Sequence, residues 1–124
     1  MLASAKLEAF VGTANPQKAR HFYETVLGLS LITDAPFALM FESNGTRLLV
    51  SKVDEVSPAP YTVLGWTVSD IASMTKTLRK KGVAFERYPY FEQDENDVWV
   101  APSGTKVAWF KDPDGNTLSV SEYA

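Results

Sequence analysis

With 124 residues, 45% hydrophobic and 22% charged, the chain reads as one domain, residues 1–124, able to bury a core without staples. It has no cysteine, which excludes disulfides and thiol chemistry, and no apolar run near the roughly 20 residues of a membrane span. Its net charge of −3 excludes the basic excess that nucleic acid demands, and Met1–Lys6 lacks a cleavable leader pattern, so a cytoplasmic protein is expected.

The first predicted strand runs from Leu7 to Thr13. Asn15 then caps a helix with Pro16 at its first position, because an Asn side chain satisfies free N–H groups and proline has none to leave unpaired. Ala19, Phe22, Tyr23 and Val26 fall on one face at helical spacing, and Gly28 ends the helix. His21 lies off that stripe and is expected to face water. Strands are predicted at Leu29–Thr33, Phe37–Glu42 and Arg47–Val53, the last two joined through Ser43-Asn44-Gly45. Pro58 and Pro60 mark a linker.

Thr62–Val68 reads as the next strand. Ser69-Asp70 caps a second helix with Ile71, Met74, Thr75 and Leu78 on its apolar face, ending at Gly82. Arg79-Lys80-Lys81 reads as a solvated helix end favoured by the dipole. Strands are predicted at Ala84–Tyr88, Val98–Ala101, Lys106–Lys111 and Thr117–Glu122, with a turn at Asp112-Pro113-Asp114-Gly115.

Two segments echo each other: Gly45-Thr46-Arg47-Leu48-Leu49-Val50-Ser51-Lys52 and Gly115-Asn116-Thr117-Leu118-Ser119-Val120-Ser121-Glu122. Each half therefore reads strand, helix, three strands, a βαβββ unit used twice, over about 6–54 and 61–124. From cap to echo the first half spans 15 to 45, thirty positions, and the second 70 to 115, forty-five. The surplus of fifteen falls mostly between Tyr88 and Thr105. A surplus loop in a small domain is more often functional than idle.

Ala19-Arg20-His21-Phe22-Tyr23-Glu24-Thr25-Val26-Leu27-Gly28-Leu29 resembles the first-helix signature of the vicinal oxygen chelate superfamily. Trp109-Phe110-Lys111-Asp112-Pro113-Asp114-Gly115-Asn116 resembles its C-terminal signature. That superfamily contains glyoxalase I, extradiol dioxygenases, and fosfomycin- and bleomycin-resistance proteins. The resemblance covers nearly the whole chain. It implies an α+β fold of two βαβββ modules whose curved mixed sheets enclose a cleft.

In metal-using members the resemblance places ligands at four positions, which here are Glu8, Leu49, Val63 and Ser119. Glyoxalases hold His and Glu there; this chain offers one carboxylate, two aliphatic side chains and a neutral hydroxyl. The residues agree independently, since transition metals want imidazole, thiolate or converging carboxylates, and the chain has one His and no Cys. No cofactor is expected, although a divalent cation held by carboxylates and carbonyls stays open. A Ser-His-Asp arrangement is not available.

Strand alternation puts Glu8, Phe10 and Gly12 on one face, and likewise Val63, Gly65 and Thr67; Arg47, Leu49 and Ser51; Thr117, Ser119 and Ser121. The resemblance makes that face the cavity; for Phe10 and Leu49 plain core is an equal reading. Glu8, between Leu7 and Ala9, needs a partner such as Arg47, or water, and if buried would suit acid–base work. Trp66 is expected in the core under a helix, and Trp109 in the core or the cavity wall. The inserted segment offers Tyr88, Tyr90, Phe91 and Trp99 as ligand-stacking surface. Its Glu92, Asp94, Glu95 and Asp97 either form a solvated loop or favour a neutral or cationic ligand.

The leading expectation is a metal-free binding protein for a small, partly aromatic molecule, with Phe10, Arg47, Tyr88, Tyr90, Phe91, Trp99, Trp109 and Ser119 as candidate contacts. The alternative is an enzyme of the same superfamily using Glu8 as acid or base, or an atypical metal. A third is an interaction protein without a small ligand. A homodimer is expected, because open sheets leave edges to cover and the family often completes cavities from two chains.

Overall fold

Asn15 accepts the Lys18 N–H at 3.2 Å, with Pro16 directly after it, and so starts α1 (Pro16–Arg20) as its sequence predicts. The helix then widens into a π-helical turn, His21–Val26, in which the Leu27 N–H reaches back to the Phe22 carbonyl. Sequence spacing gave no sign of this widening. Ala19 and Tyr23 are fully buried, and His21 is exposed. Gly28 closes the segment at φ +76°, a conformation that favours glycine.

In a computed structural model describing residues 1–124, the chain divides into two units, Met1–Ser57 and Pro58–Ala124. The first holds β1 (Glu8–Thr13), β2 (Ser30–Asp34), β3 (Ala38–Ser43) and β4 (Thr46–Lys52), in sheet order β1-β4-β3-β2. The second holds β5 (Thr62–Thr67), α2 (Ile71–Lys80), β6 (Trp99–Val100), β7 (Lys106–Lys111) and β8 (Thr117–Glu122), in order β5-β8-β7-β6. A short 3₁₀ turn, Leu2–Ser4, precedes them. No helix is long and apolar enough to cross a membrane.

The echoed segments occupy equivalent places. β4 pairs parallel with β1 and antiparallel with β3; β8 pairs parallel with β5 and antiparallel with β7. Alternation then sorts the side chains by face. Leu39, Phe41, Leu48 and Val50 are buried with Ala19 and Tyr23, whose ring lies 5.8 Å from that of Phe41. In the second unit Ala108, Phe110, Leu118 and Val120 are buried, as are Ile71, Thr75 and Leu78 of α2. Trp66 shares this face in register with Val120 and is half-buried.

The predicted strand Ala84–Tyr88 does not form. Phe85 makes a single bridge, to Phe110, and the Glu86 N–H donates to the Trp109 carbonyl at 2.8 Å. The Tyr88 N–H turns away to the Gln93 side chain, so no ladder can continue. Farther along β7, β6 takes over through Trp99 opposite Val107. The outer edge of β7 is thus closed in two pieces, with 87–98 looped out between them.

Candidate functional site

The other face of the second sheet carries the alternate residues. Lys111 of β7 stands opposite Thr117 of β8, and Thr117 opposite Thr62 of β5. One step along, Trp109 stands opposite Ser119, and Ser119 opposite Gly65. The Trp109 Nε1–H donates to Thr62 Oγ1 at 3.1 Å. β5 and β7 are separated by β8, roughly 10 Å apart at two strand spacings, so the indole lies across β8. Thr117 and Ser119, the β8 residues on this face, are buried. Small residues are needed there: a Cβ on Gly65 would sit 2.6 Å from the Ser119 hydroxyl.

The looped-out segment supplies the wall beside Trp109. Gln93 organises it, accepting the Tyr88 N–H at 2.8 Å and donating to the carbonyls of Glu86 and Asp97, each at 2.9 Å. Arg87 donates to the Gln93 and Asp94 carbonyls. Asp97 pairs with Arg87 and, at 2.6 Å, with Arg79 of α2, whose guanidinium lies over the Phe85 ring. Burial pushes the Asp97 carboxyl up, but the hydrogen bonds and charges of Arg79 and Arg87 outweigh it and hold the group below its ordinary 3.8.

On this frame the aromatic rings meet. Phe91 stacks on Trp109 at 5.1 Å and 6° between planes, and lies 4.4 Å from Trp99. Tyr88 stands edge-on to Trp109 at 5.5 Å and stacks with Tyr90 at 5.6 Å. Burial, then the fields of Glu86 and Tyr90, raise the Tyr88 phenol above its ordinary 10.0, keeping it a neutral donor.

Tyr88, Tyr90, Phe91 and Trp109 line an open cavity of about 560 Å³ together with Pro58–Thr62, Lys111, Gly115 and Thr117. Four of the residues expected from the sequence are therefore brought together. Trp99 stands behind Phe91 rather than in the wall, and Ser119 lies under the Trp109 strand position. Glu8, Arg47 and Phe10 belong to the first unit. Glu8 and Arg47 are register partners in a groove of about 390 Å³ that also includes Glu42 and Ile32; Phe10 is exposed on the same sheet face. Glu8 is exposed at that groove.

Sequence reasoning missed Lys111, Thr62 and the Pro58–Tyr61 wall. Lys111 was legible by alternation, being two residues from Trp109 on one strand. The linker wall was not, because it depends on Pro58 packing against Gly115, 3.2 Å from where a Cβ would be. The acidic run does not face the cavity as a set: Asp94 Oδ1 accepts the N–H groups of Asn96 and Val98, Asp97 is ion-paired, and none of the four carboxylates is in the wall.

The four metal positions implied by the resemblance do not fit a transition metal. Leu49 and Val63 carry no donor, Ser119 is a buried neutral hydroxyl, and Glu8 is a single exposed carboxylate. No three His, Asp or Glu side chains gather elsewhere in an arrangement able to hold an ion.

The structure resembles several solved proteins along their whole length. A glyoxalase/bleomycin resistance protein/dioxygenase superfamily member from Sphaerobacter thermophilus DSM 20745 superposes with TM-score 0.76 at 25% identity, covering 98% of this chain and 99% of that one. TnmS3, an antibiotic binding protein from Streptomyces sp. CB03234, gives 0.72 at 22% identity, covering 100% and 99%. Lactoylglutathione lyase from Agrobacterium tumefaciens gives 0.73 at 19%, covering 96% and 93%. Among curated proteins, none matches the sequence. The profile of the Glyoxalase/Bleomycin resistance protein/Dioxygenase superfamily matches residues 7–120, and the chain belongs to that superfamily.

Proposed function

We propose that this chain is a small-molecule binding protein, that its ligand is a flat aromatic compound, and that binding needs no metal. The observation carrying this is the cavity of about 560 Å³ walled by Tyr88, Tyr90, Phe91 and Trp109. That volume and lining lie in the range of small-molecule sites. Rings already stacked on a frame of hydrogen bonds lose little entropy when a ligand adds to the stack. The antibiotic binding protein of similar fold supports a binding role. Thermal-shift titration with 2-naphthol is the test: a bound ligand raises the midpoint with concentration, and Trp109→Ala removes the response. No response in the unaltered protein overturns the reading. Metal independence is checked by elemental analysis of untagged protein; stoichiometric zinc, nickel, iron or manganese overturns it.

An enzymatic reading rests on Glu8 and Arg47, which stand side by side at an open groove where water and substrate can enter. Glu8→Gln would abolish any turnover there and leave naphthol binding unchanged.

The homodimer also remains our proposal. Phe10 and Phe37 in the first unit and Tyr61 in the second are largely exposed, which favours cover by a partner. Light scattering showing a monomer at micromolar and higher concentrations contradicts it.

A further inference from the structure

We propose that the row Lys111–Thr117–Thr62 receives an acidic oxygen of the ligand, so that the cavity selects planar aromatic acids over neutral or cationic aromatics. The inference rests on the binding reading above and adds the ligand's charge. The three residues lie abreast on adjacent strands β7, β8 and β5, and all three line the aromatic-walled cavity. Lys111 is the one charged residue in that wall, and it makes no ion pair within the chain. The acid next to it in sequence, Asp112, points the other way and accepts the N–H groups of Asp114 and Asn116 inside the turn.

Thr62 is set up as a donor. Its oxygen already accepts the Trp109 indole N–H, which leaves its own hydroxyl proton to give. The same hydrogen bond fixes the Trp109 plane relative to the hydroxyl, so a ring laid against the wall would carry a substituent toward the row. A carboxylate or phenolate there would pair with the Lys111 ammonium and accept a charge-assisted hydrogen bond from the Thr62 hydroxyl as well. An ammonium there would meet a like charge. This reverses the preference that the acidic run suggests from sequence, because those carboxylates lie outside the wall.

The test compares 2-naphthoate, 2-naphthalenemethanol and 2-naphthylmethylammonium by calorimetric titration on the unaltered chain and on Lys111→Met, which keeps the apolar stem. Naphthoate is expected to bind about tenfold more tightly than the alcohol, with the ammonium weakest, and the margin should shrink with salt. In Lys111→Met the naphthoate and alcohol affinities should converge. Equal affinities in the unaltered chain overturn this inference while the binding reading stands. A naphthoate preference that survives in Lys111→Met also overturns it, because the anion is then received elsewhere. No binding of any probe overturns the binding reading and this inference together.

Discussion

Trp109 reaches across β8 to donate its indole N–H to Thr62 Oγ1, tying the two strands that flank β8 through a side chain instead of a ladder. The ring thereby becomes both a wall of the cavity and a neighbour of buried Ser119, its register partner on β8. Trp109→Phe keeps a ring but loses the hydrogen bond. It should lower stability by about 1 kcal/mol, and Thr62→Val should lower it by a similar amount. The double variant should fall short of the sum, because both changes remove one bond. Urea unfolding midpoints check this; full additivity means the bond contributes nothing.

Gln93 holds the inserted segment through three backbone groups. Gln93→Ala leaves those groups without their partner and should destabilise the segment by about 1–3 kcal/mol. Because the segment is looped out from the edge of β7, we expect it to open locally. Hydrogen exchange of Tyr88 and limited proteolysis within 87–98 should accelerate well before β7 or β8 exchanges. Uniform acceleration across the unit would show that the segment is not a separate unit of stability.

Asp97 gives the segment a pH dependence with a definite sign. Its folded-state pKa is depressed below the ordinary 3.8, so its contribution is fully present above that value and is lost as pH falls through the folded pKa. Asp97 also has φ 63°, which Asn tolerates, so Asp97→Asn removes the charge without adding backbone strain. The stability gap between the unaltered chain and Asp97→Asn should be about 1–2 kcal/mol at neutral pH and close as pH drops below 3.8. A gap constant down to strongly acid pH would mean that the charge is not what holds the segment.

Gly115 lines the cavity next to Pro58. It adopts φ +85°, and a Cβ there would meet Pro58 at 3.2 Å. Gly115→Ala therefore combines backbone strain of about 1–2 kcal/mol with displacement of the Pro58 wall. Affinity for 2-naphthol should fall along with stability. Gly82→Ala at φ +99°, with nothing within 4 Å of its Cβ, should lower stability alone. Equal affinity in the two variants would separate Pro58 from the site.

Trp99 supports the wall from behind, 4.4 Å from Phe91. Trp99→Ala should weaken naphthol binding less than Trp109→Ala does, because it loosens Phe91 without removing a lining ring. Tryptophan fluorescence titration of both variants decides it, and a larger loss at Trp99 would place that ring in the wall.

Local chemistry was legible in the sequence. Asn15-Pro16 specified the start of the first helix, and period-two alternation sorted Leu48 and Val50 from Arg47 and Leu49. The echo between Gly45–Lys52 and Gly115–Glu122 marked two equivalent strands, because a repeated local pattern forms the same element twice. Composition alone left Leu49 and Val63 without a donor atom at two of the four metal positions, since residue identity decides whether such an atom exists. The end of the expected strand at Ala84–Tyr88 was not legible: Gln93, five residues beyond Tyr88, takes the N–H that a ladder would have used. Nor were the roles of the carboxylates, because Asp97 finds Arg79 across 18 positions and is consumed by structure. The cavity itself belongs wholly to the tertiary structure. It exists because Trp109 and Thr62, 47 positions apart, are brought within a hydrogen bond. Only the pairing of β5 and β7 on either side of β8 does that.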